Sequence, residues 1–416
     1  MKIFHPMSAN IKRVLLVAAL LAATVLIAFG LYLAFKKTTV EKPGEELGPG
    51  GGGELPFSGE KGEAPVTGEA PSGEVGITPA GPSGLGQNLT PSYYKPKPVE
   101  KVSSDYSIFT SLNNNGALRY HNGSDGKFYR ISAQGDVRAM TDQIFYNVQE
   151  VTWAKNADKA ILEYPDGTKT LYNFDTNKQV TLPKHWEDFS FSPDSSQISA
   201  KSLGLAPENR WLVTSNDDGS GTRLIEPLGE NADKVIMDWS PSRQTVALSM
   251  TGQPVGADRR EILFLGLNGE NFKSTIVEGL NFASQWSSTG KKLLYNVDSA
   301  RSNFKPELWI VNSYGEEIGS GRRMLELNTW AKKCSFASDD ILYCAVPREL
   351  PEGAGMAPEI AAEIPDDLYK IDLKTGLRTS IALDKDYTFD SISYEPTTNK
   401  VYFSDHHETG IFEVKL

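Results

Sequence analysis

One unit recurs from about residue 106 onward and limits what this chain can fold into. Its clearest copy is Phe189 to Ser202, FSFSPDSSQISAKS. Phe189 and Phe191 alternate with polar residues, Ser192-Pro193-Asp194-Ser195 form a turn, and alternation resumes at Ile198 and Ala200. Side chains on a strand point alternately to its two faces, so this reads as two short strands joined by a tight turn. The same aromatic-turn-strand pattern is anchored at Trp153, Phe191, Trp239, Trp286, Phe336 and Tyr394, with a weaker copy at Leu112 to Leu118. The anchors are spaced from 38 residues (Trp153 to Phe191) to 58 (Phe336 to Tyr394). Such a unit cannot bury its apolar faces alone, so it must stack against further copies of itself.

A second turn follows in each unit: Gln134-Gly135-Asp136, Asp175-Thr176-Asn177, Asp217-Asp218-Gly219, Asn268-Gly269-Glu270, Tyr314-Gly315-Glu316 and Lys374-Thr375-Gly376. Residues that tolerate left-handed backbone, set between strand patterns, mark hairpins. Two hairpin turns per unit imply four strands per unit. The fold class expected is all-β, a β-propeller of seven four-stranded blades, with six as the alternative. The last unit stops after its third strand, at Ile411 to Val414. An open edge invites aggregation, so the missing strand must come from elsewhere. The segment Lys95 to Ser103 is the natural donor, and its Pro96 and Pro98 are tolerated on an outer strand.

Phe191-Ser192-Pro193-Asp194-Ser195 with Ile198, and Trp239-Ser240-Pro241-Ser242 with Val246, resemble the W-S-P-D-G-x-x-[IL] repeat of TolB-like, WD-repeat-like bacterial propellers. Similar repeats occur in the propeller domains of prolyl-oligopeptidase-type peptidases. The resemblance extends over about 106–416, and it implies blade architecture without bringing any catalytic residue with it.

Ahead of the repeats, residues 1–13 form a short basic head, and 14–35 are an unbroken apolar run, VLLVAALLAATVLIAFGLYLAF. At about 1.5 Å per residue that run is long enough to cross a bilayer as a single helix. Its end, Leu-Ala-Phe-Lys-Lys, lacks the small-x-small site of a cleaved leader, so an uncleaved signal anchor is expected. Residues 36–101 are rich in Gly, Pro and Glu and poor in large apolar residues, the composition of a disordered linker. About 60 such residues span roughly 40 Å as a flexible coil. The domain order expected is therefore head, transmembrane helix, linker, and a propeller over 102–416. A short head before a long body favours a single-pass membrane protein whose C-terminal domain is extracytoplasmic, at the cell surface or in the periplasm. The net charge of −11 argues against a nucleic-acid partner.

The chemistry-bearing signals are sparse. A peptidase of the resembling type needs a G-x-S-x-G nucleophile elbow, and the chain has none. His406 and His407, with Asp405 and Glu408 beside them and His121 in the corresponding stretch of the first unit, are the one conceivable metal cluster. Loop histidines are more often solvated, so no metal or other cofactor is expected. Cys334 and Cys344 fall on adjacent strands, both facing the core and nearly opposite. They can form a cross-strand disulfide or remain two buried thiols. The second-to-third-strand connections are long, above all 347–367, and long connections without strand character tend to carry function. Aromatics gather in the blade-to-blade loops of the same face, and Tyr146, Trp186, Phe282, Trp330 and Tyr387, with Arg260 and His406, are the binding residues expected there. The alternative for the aromatics is that they pack the starts of the first strands. The function expected is a non-enzymatic binding scaffold of the cell envelope with a protein, peptide or glycan partner. The alternatives are a glycan hydrolase or lyase and a solute sensor.

Overall fold

The structure is a computed structural model that describes residues 95–256, 258–270 and 272–416. The basic head, the apolar run and residues 36–94 of the expected linker lie outside the described residues. Among the described residues no helix is long and apolar enough to cross a membrane.

Seven four-stranded antiparallel sheets make up the domain. Six of them run in sequence order, at 107–139, 150–182, 186–227, 235–278, 280–324 and 334–381. The weak first copy therefore forms a complete blade, and the six-bladed alternative is set aside. The seventh sheet joins Phe389–Glu395, Lys400–Asp405 and Ile411–Lys415 to an outer strand, Val99–Ser103. Val99 pairs with Val414 and Ser103 with Ile411, so the closing strand is the expected donor. It takes Val99 to Lys101 from the stretch read as linker. Pro98 stands just before it, and Lys97 N donates to Ala382 O at 2.8 Å.

The anchors have one role. Trp153, Phe191, Trp239 and Trp286 are buried, each in a cluster that bridges two neighbouring blades. Every one of the seven seams has such a cluster, and the seam between blades seven and one is filled by Leu118, Tyr120, Ile131, Tyr402 and Ile411. The core is thus a ring of separate seams, as expected when each unit hides its faces only against its neighbours.

Inner strands pose a further problem, because their backbone on the axis side has no ladder partner. Side chains of adjacent blades supply some of the missing bonds. Asp188 Oδ2 accepts from Met237 N (3.1 Å), Ser190 Oγ from Trp239 N (2.9 Å), and Ser335 Oγ from Tyr394 N (2.9 Å). The inner strands of blades one, three and five also bulge at corresponding positions, with Phe109, Asp188 and Asn281 left-handed at φ 54, 55 and 52°. A bulge of this kind re-aims a side chain beside the axis.

Cys334 and Cys344 are direct cross-strand partners and are joined by a disulfide, with Cα atoms 4.1 Å apart. Both are buried in the seam between blades five and six.

Candidate functional site

In blades built this way, second-to-third-strand connections and blade-to-blade loops emerge on one face. The remaining turns emerge on the other. The connection between Ile341–Pro347 and Asp366–Asp372 dominates the first face. It has a small core of its own, in which Leu350, Ala354 and Ala361 pack on Trp330. Its Pro358–Ala361 segment is a single 3-10 turn. It is also docked on the loop of blade five: Gly353 N donates to Asn303 O (2.9 Å) and Gly355 N to Phe304 O (2.7 Å). A side chain at Gly355 would collide, since its Cβ would lie 2.5 Å from that of Asp298. The long connection is a fixed wall and not a free flap.

The aromatic rim is corrected by these contacts. Trp330 is 7% exposed because it carries the loop core. Trp186 is 5% exposed in the seam between blades two and three, and Tyr387 is 4% exposed against Phe389, Phe403 and Phe412. Phe282 is half-buried against Tyr295. Large rings at strand starts find more apolar surface in the seams than at the rim, so packing claims them. Arg260 is half-buried in the third strand of blade four, opposite Val277. Tyr146, at 69% exposure, and His406 are the two that stand open to solvent.

The structure does not unite the histidines. His121 is buried, with Nε2 3.1 Å from Phe145 O, and burial pulls its pKa down. His406 Nδ1 lies 3.1 Å from Asp390 Oδ1, and His407 Nδ1 lies 3.7 Å from Glu363 Oε2. Among the described residues no three His, Cys, Asp or Glu side chains are grouped to hold a metal.

What sequence reasoning missed is a cleft of about 860 Å³ between blades two and three. Glu150 and Glu163 come to it from blade two, Glu187 and Asp188 from blade three, and Glu230 and Asp233 from the turn before blade four. Only Lys201 and Arg210 oppose these carboxylates in its lining. Lys201 Nζ is committed to Asp188 Oδ2 at 2.8 Å, Arg210 to Glu230, and Lys169, from beside the cleft, to Glu163, which leaves Glu150, Glu187 and Asp233 without an ion pair among the described residues. Partial burial, with Glu163 and Asp188 nearby, pushes the Glu150 carboxyl above its ordinary range. A cleft so lined attracts cations. Leu205 stands fully exposed at its edge. Further large apolar side chains are exposed in loops of the same face: Tyr106, Tyr146, Val255, Met356 and Ile360. The carboxylates come from separate blades, so no local motif betrays the cleft. The weak signal was the run of acidic residues at the starts and ends of neighbouring strands.

No family model matches the chain, and no curated protein matches it. Among solved structures it is similar to the β-propeller domain of Myceliophteria thermophila Cps50 (Swd1), at 13% identity and a TM-score of 0.49, covering 76% of this chain and 99% of that one. It is also similar to an oligogalacturonate lyase in complex with manganese, at 10% identity and a TM-score of 0.46, covering 76% and 93%. The tricorn protease matches at 10% identity and a TM-score of 0.45, over 77% of this chain and 34% of that one. Likenesses this distant bring no activity with them. The class of the protein rests on its own strand order: it is a seven-bladed β-propeller closed by the strand that precedes its first blade.

Proposed function

We propose that this protein is a TolB-like, membrane-anchored, extracytoplasmic binding scaffold of the cell envelope. Its long-loop face docks a protein segment that carries both basic and apolar side chains. The observation behind this reading is the juxtaposition of the acidic cleft with exposed Leu205 and Tyr146 on one rigid face. Exposed apolar residues gathered with one sign of charge mark a contact surface for a partner of opposite charge. The apolar run at 14–35 and the repeats at Phe191 and Trp239 support the anchor and the TolB-like assignment.

The test is crosslinking and capture from intact membranes with the full chain. Glu187→Lys and Leu205→Asp should each weaken recovery of the captured partner by about tenfold. Leu377→Asp, in a turn of the opposite face, should leave it unchanged. Equal recovery by all three folded variants would sink the assignment of the face.

A further inference from the structure

A second cleft of about 500 Å³ opens on the same face between blades seven and one. We infer that it is a binding site for a neutral pyranose unit of a glycan, stacked on Tyr106 and hydrogen-bonded by the groups around His406. This reading is independent of the acidic cleft.

Tyr106 is 55% exposed, yet it is held in place. Gly123 N donates to Tyr106 O at 2.9 Å. A Cβ at Gly123 would lie 2.6 Å from Tyr106 Cδ1 and 2.8 Å from Cε1, so the ring is seated on a position that has room only for glycine. The ring therefore combines a packed side with an exposed one at the cleft. A pyranose has an apolar C–H face and a rim of hydroxyls, and an amphipathic ring held in advance is suited to that face.

Two of the cleft's three carboxylates, Asp405 and Glu408, are already engaged by the protein. Asp405 accepts from the backbone N–H groups of Thr388 (2.8 Å), His407 (2.9 Å) and Glu408 (2.9 Å). Glu408 lies between Lys101 (3.0 Å) and Lys385 (2.7 Å), and Asp390 faces His406. What remains for a ligand is the Asp390–His406 pair and a set of hydroxyls. Ser391 Oγ meets Ser404 Oγ at 2.8 Å and Thr110 Oγ1 at 3.4 Å, and the imidazole of His406 is exposed beside them. A lining of acceptor carboxylate and hydroxyl groups, with its nearby lysines spent on Glu408, suits the hydroxyls of a neutral polyol over a phosphate or another anion. Its volume falls within the roughly 300–1,000 Å³ usual for small-ligand sites.

The experiment titrates the full chain in detergent with neutral trisaccharides of glucose, galactose, mannose and N-acetylglucosamine, and with charged trigalacturonate, followed by calorimetry. At least one neutral sugar should bind with a Kd of roughly 1 mM or tighter. Tyr106→Ala and Asp390→Asn should each weaken it by about tenfold, and Tyr106→Trp should retain it. Gly123→Ala, whose backbone tolerates alanine, should weaken it by displacing the ring, with a melting curve confirming the fold. Leu377→Asp, in a turn of the opposite face, should leave it unchanged. The proposal is overturned if no neutral sugar binds, if only trigalacturonate binds, or if binding survives both Tyr106→Ala and Gly123→Ala in folded protein.

Discussion

Asp238 follows directly on the inner strand of blade four, and its carboxyl is held far above the ordinary carboxylate range. Its pKa is pushed from 3.8 to about 7, chiefly by the protein packed around it and further by Asp188, while Trp286 and Lys155 oppose the shift. Lys155 belongs to blade two, which does not adjoin blade four, so the two groups face each other across the axis. Lys155 is exposed to solvent, and its own pKa is lowered by the surrounding protein and by Arg119. The folded state holds the Asp238 proton to about pH 7, whereas the unfolded chain releases it near 3.8. The folded state therefore binds more protons between those values, and stability falls as pH rises through that window. Asp238→Asn should remove this loss. Denaturant unfolding should show the variant gaining roughly 1–2 kcal/mol over the parent at pH 8, the full shift being reduced by solvent because Asp238 is only half-buried, and little at pH 4. A gain of equal size at both pH values would contradict the assignment. In the next shell of the ring, the buried Asp366 is held by Lys333 at 2.8 and 3.1 Å and by Phe389 N at 2.8 Å. That pairing keeps a fully enclosed carboxylate satisfied at the seam of blades six and seven.

Among the elements, the closing strand has the largest consequence for its length. Val99–Ser103 completes blade seven, and its neighbours reach it by side chains as well as by the ladder: Asp384 Oδ2 accepts from Val99 N at 3.2 Å, and Lys101 pairs with Glu408. The strand also leads directly into Tyr106. Removing it would expose the ladder of Ile411–Lys415 and uncover part of the seam to blade one. Deleting residues up to Gly86 should leave the melting temperature unchanged. Deleting up to Ser104 should lower it by roughly 5 °C or more, or cause aggregation. Identical melting of the two truncations would show that the strand does not close the ring. The 347–367 connection teaches a different lesson. Length alone marked it as functional, yet its own core and its docking on blade five make it a wall that shapes the face.

At the scale of the whole molecule, the two faces differ in chemistry as well as in loop length. The long-loop face carries the acidic cleft, the cleft beside Tyr106 and most of the large apolar residues exposed in loops. If the body lies outside the cytoplasm, protease added to intact cells should release it by cutting between residues 41 and 94, leaving the ring whole. Immunoblotting for the released ring checks this. Protection in intact cells, with cleavage only after lysis, would place the body inside.

The repeat was legible from sequence because blade geometry is local. Phe191, Trp239 and Trp286 sit just before tight turns, and turn chemistry and side-chain alternation are set by residues a few positions apart. Closure was legible for a related reason: an incomplete last unit requires a strand, and Lys95 to Ser103 was the segment placed to supply it. The facing of Cys334 and Cys344 followed from counting alternate residues across one hairpin, though only the structure joins them. The site was another matter. Trp186, Trp330 and Tyr387 have the composition of a binding rim, and whether a ring faces a seam or solvent depends on the neighbouring blade. The acidic cleft needs Glu150, Glu163, Glu187 and Glu230 from successive units, and the seat of Tyr106 needs Gly123 from the far side of a hairpin. Short-range rules decide which strands form, but only the closed ring decides which side chains meet, because those meetings join residues that no local pattern relates.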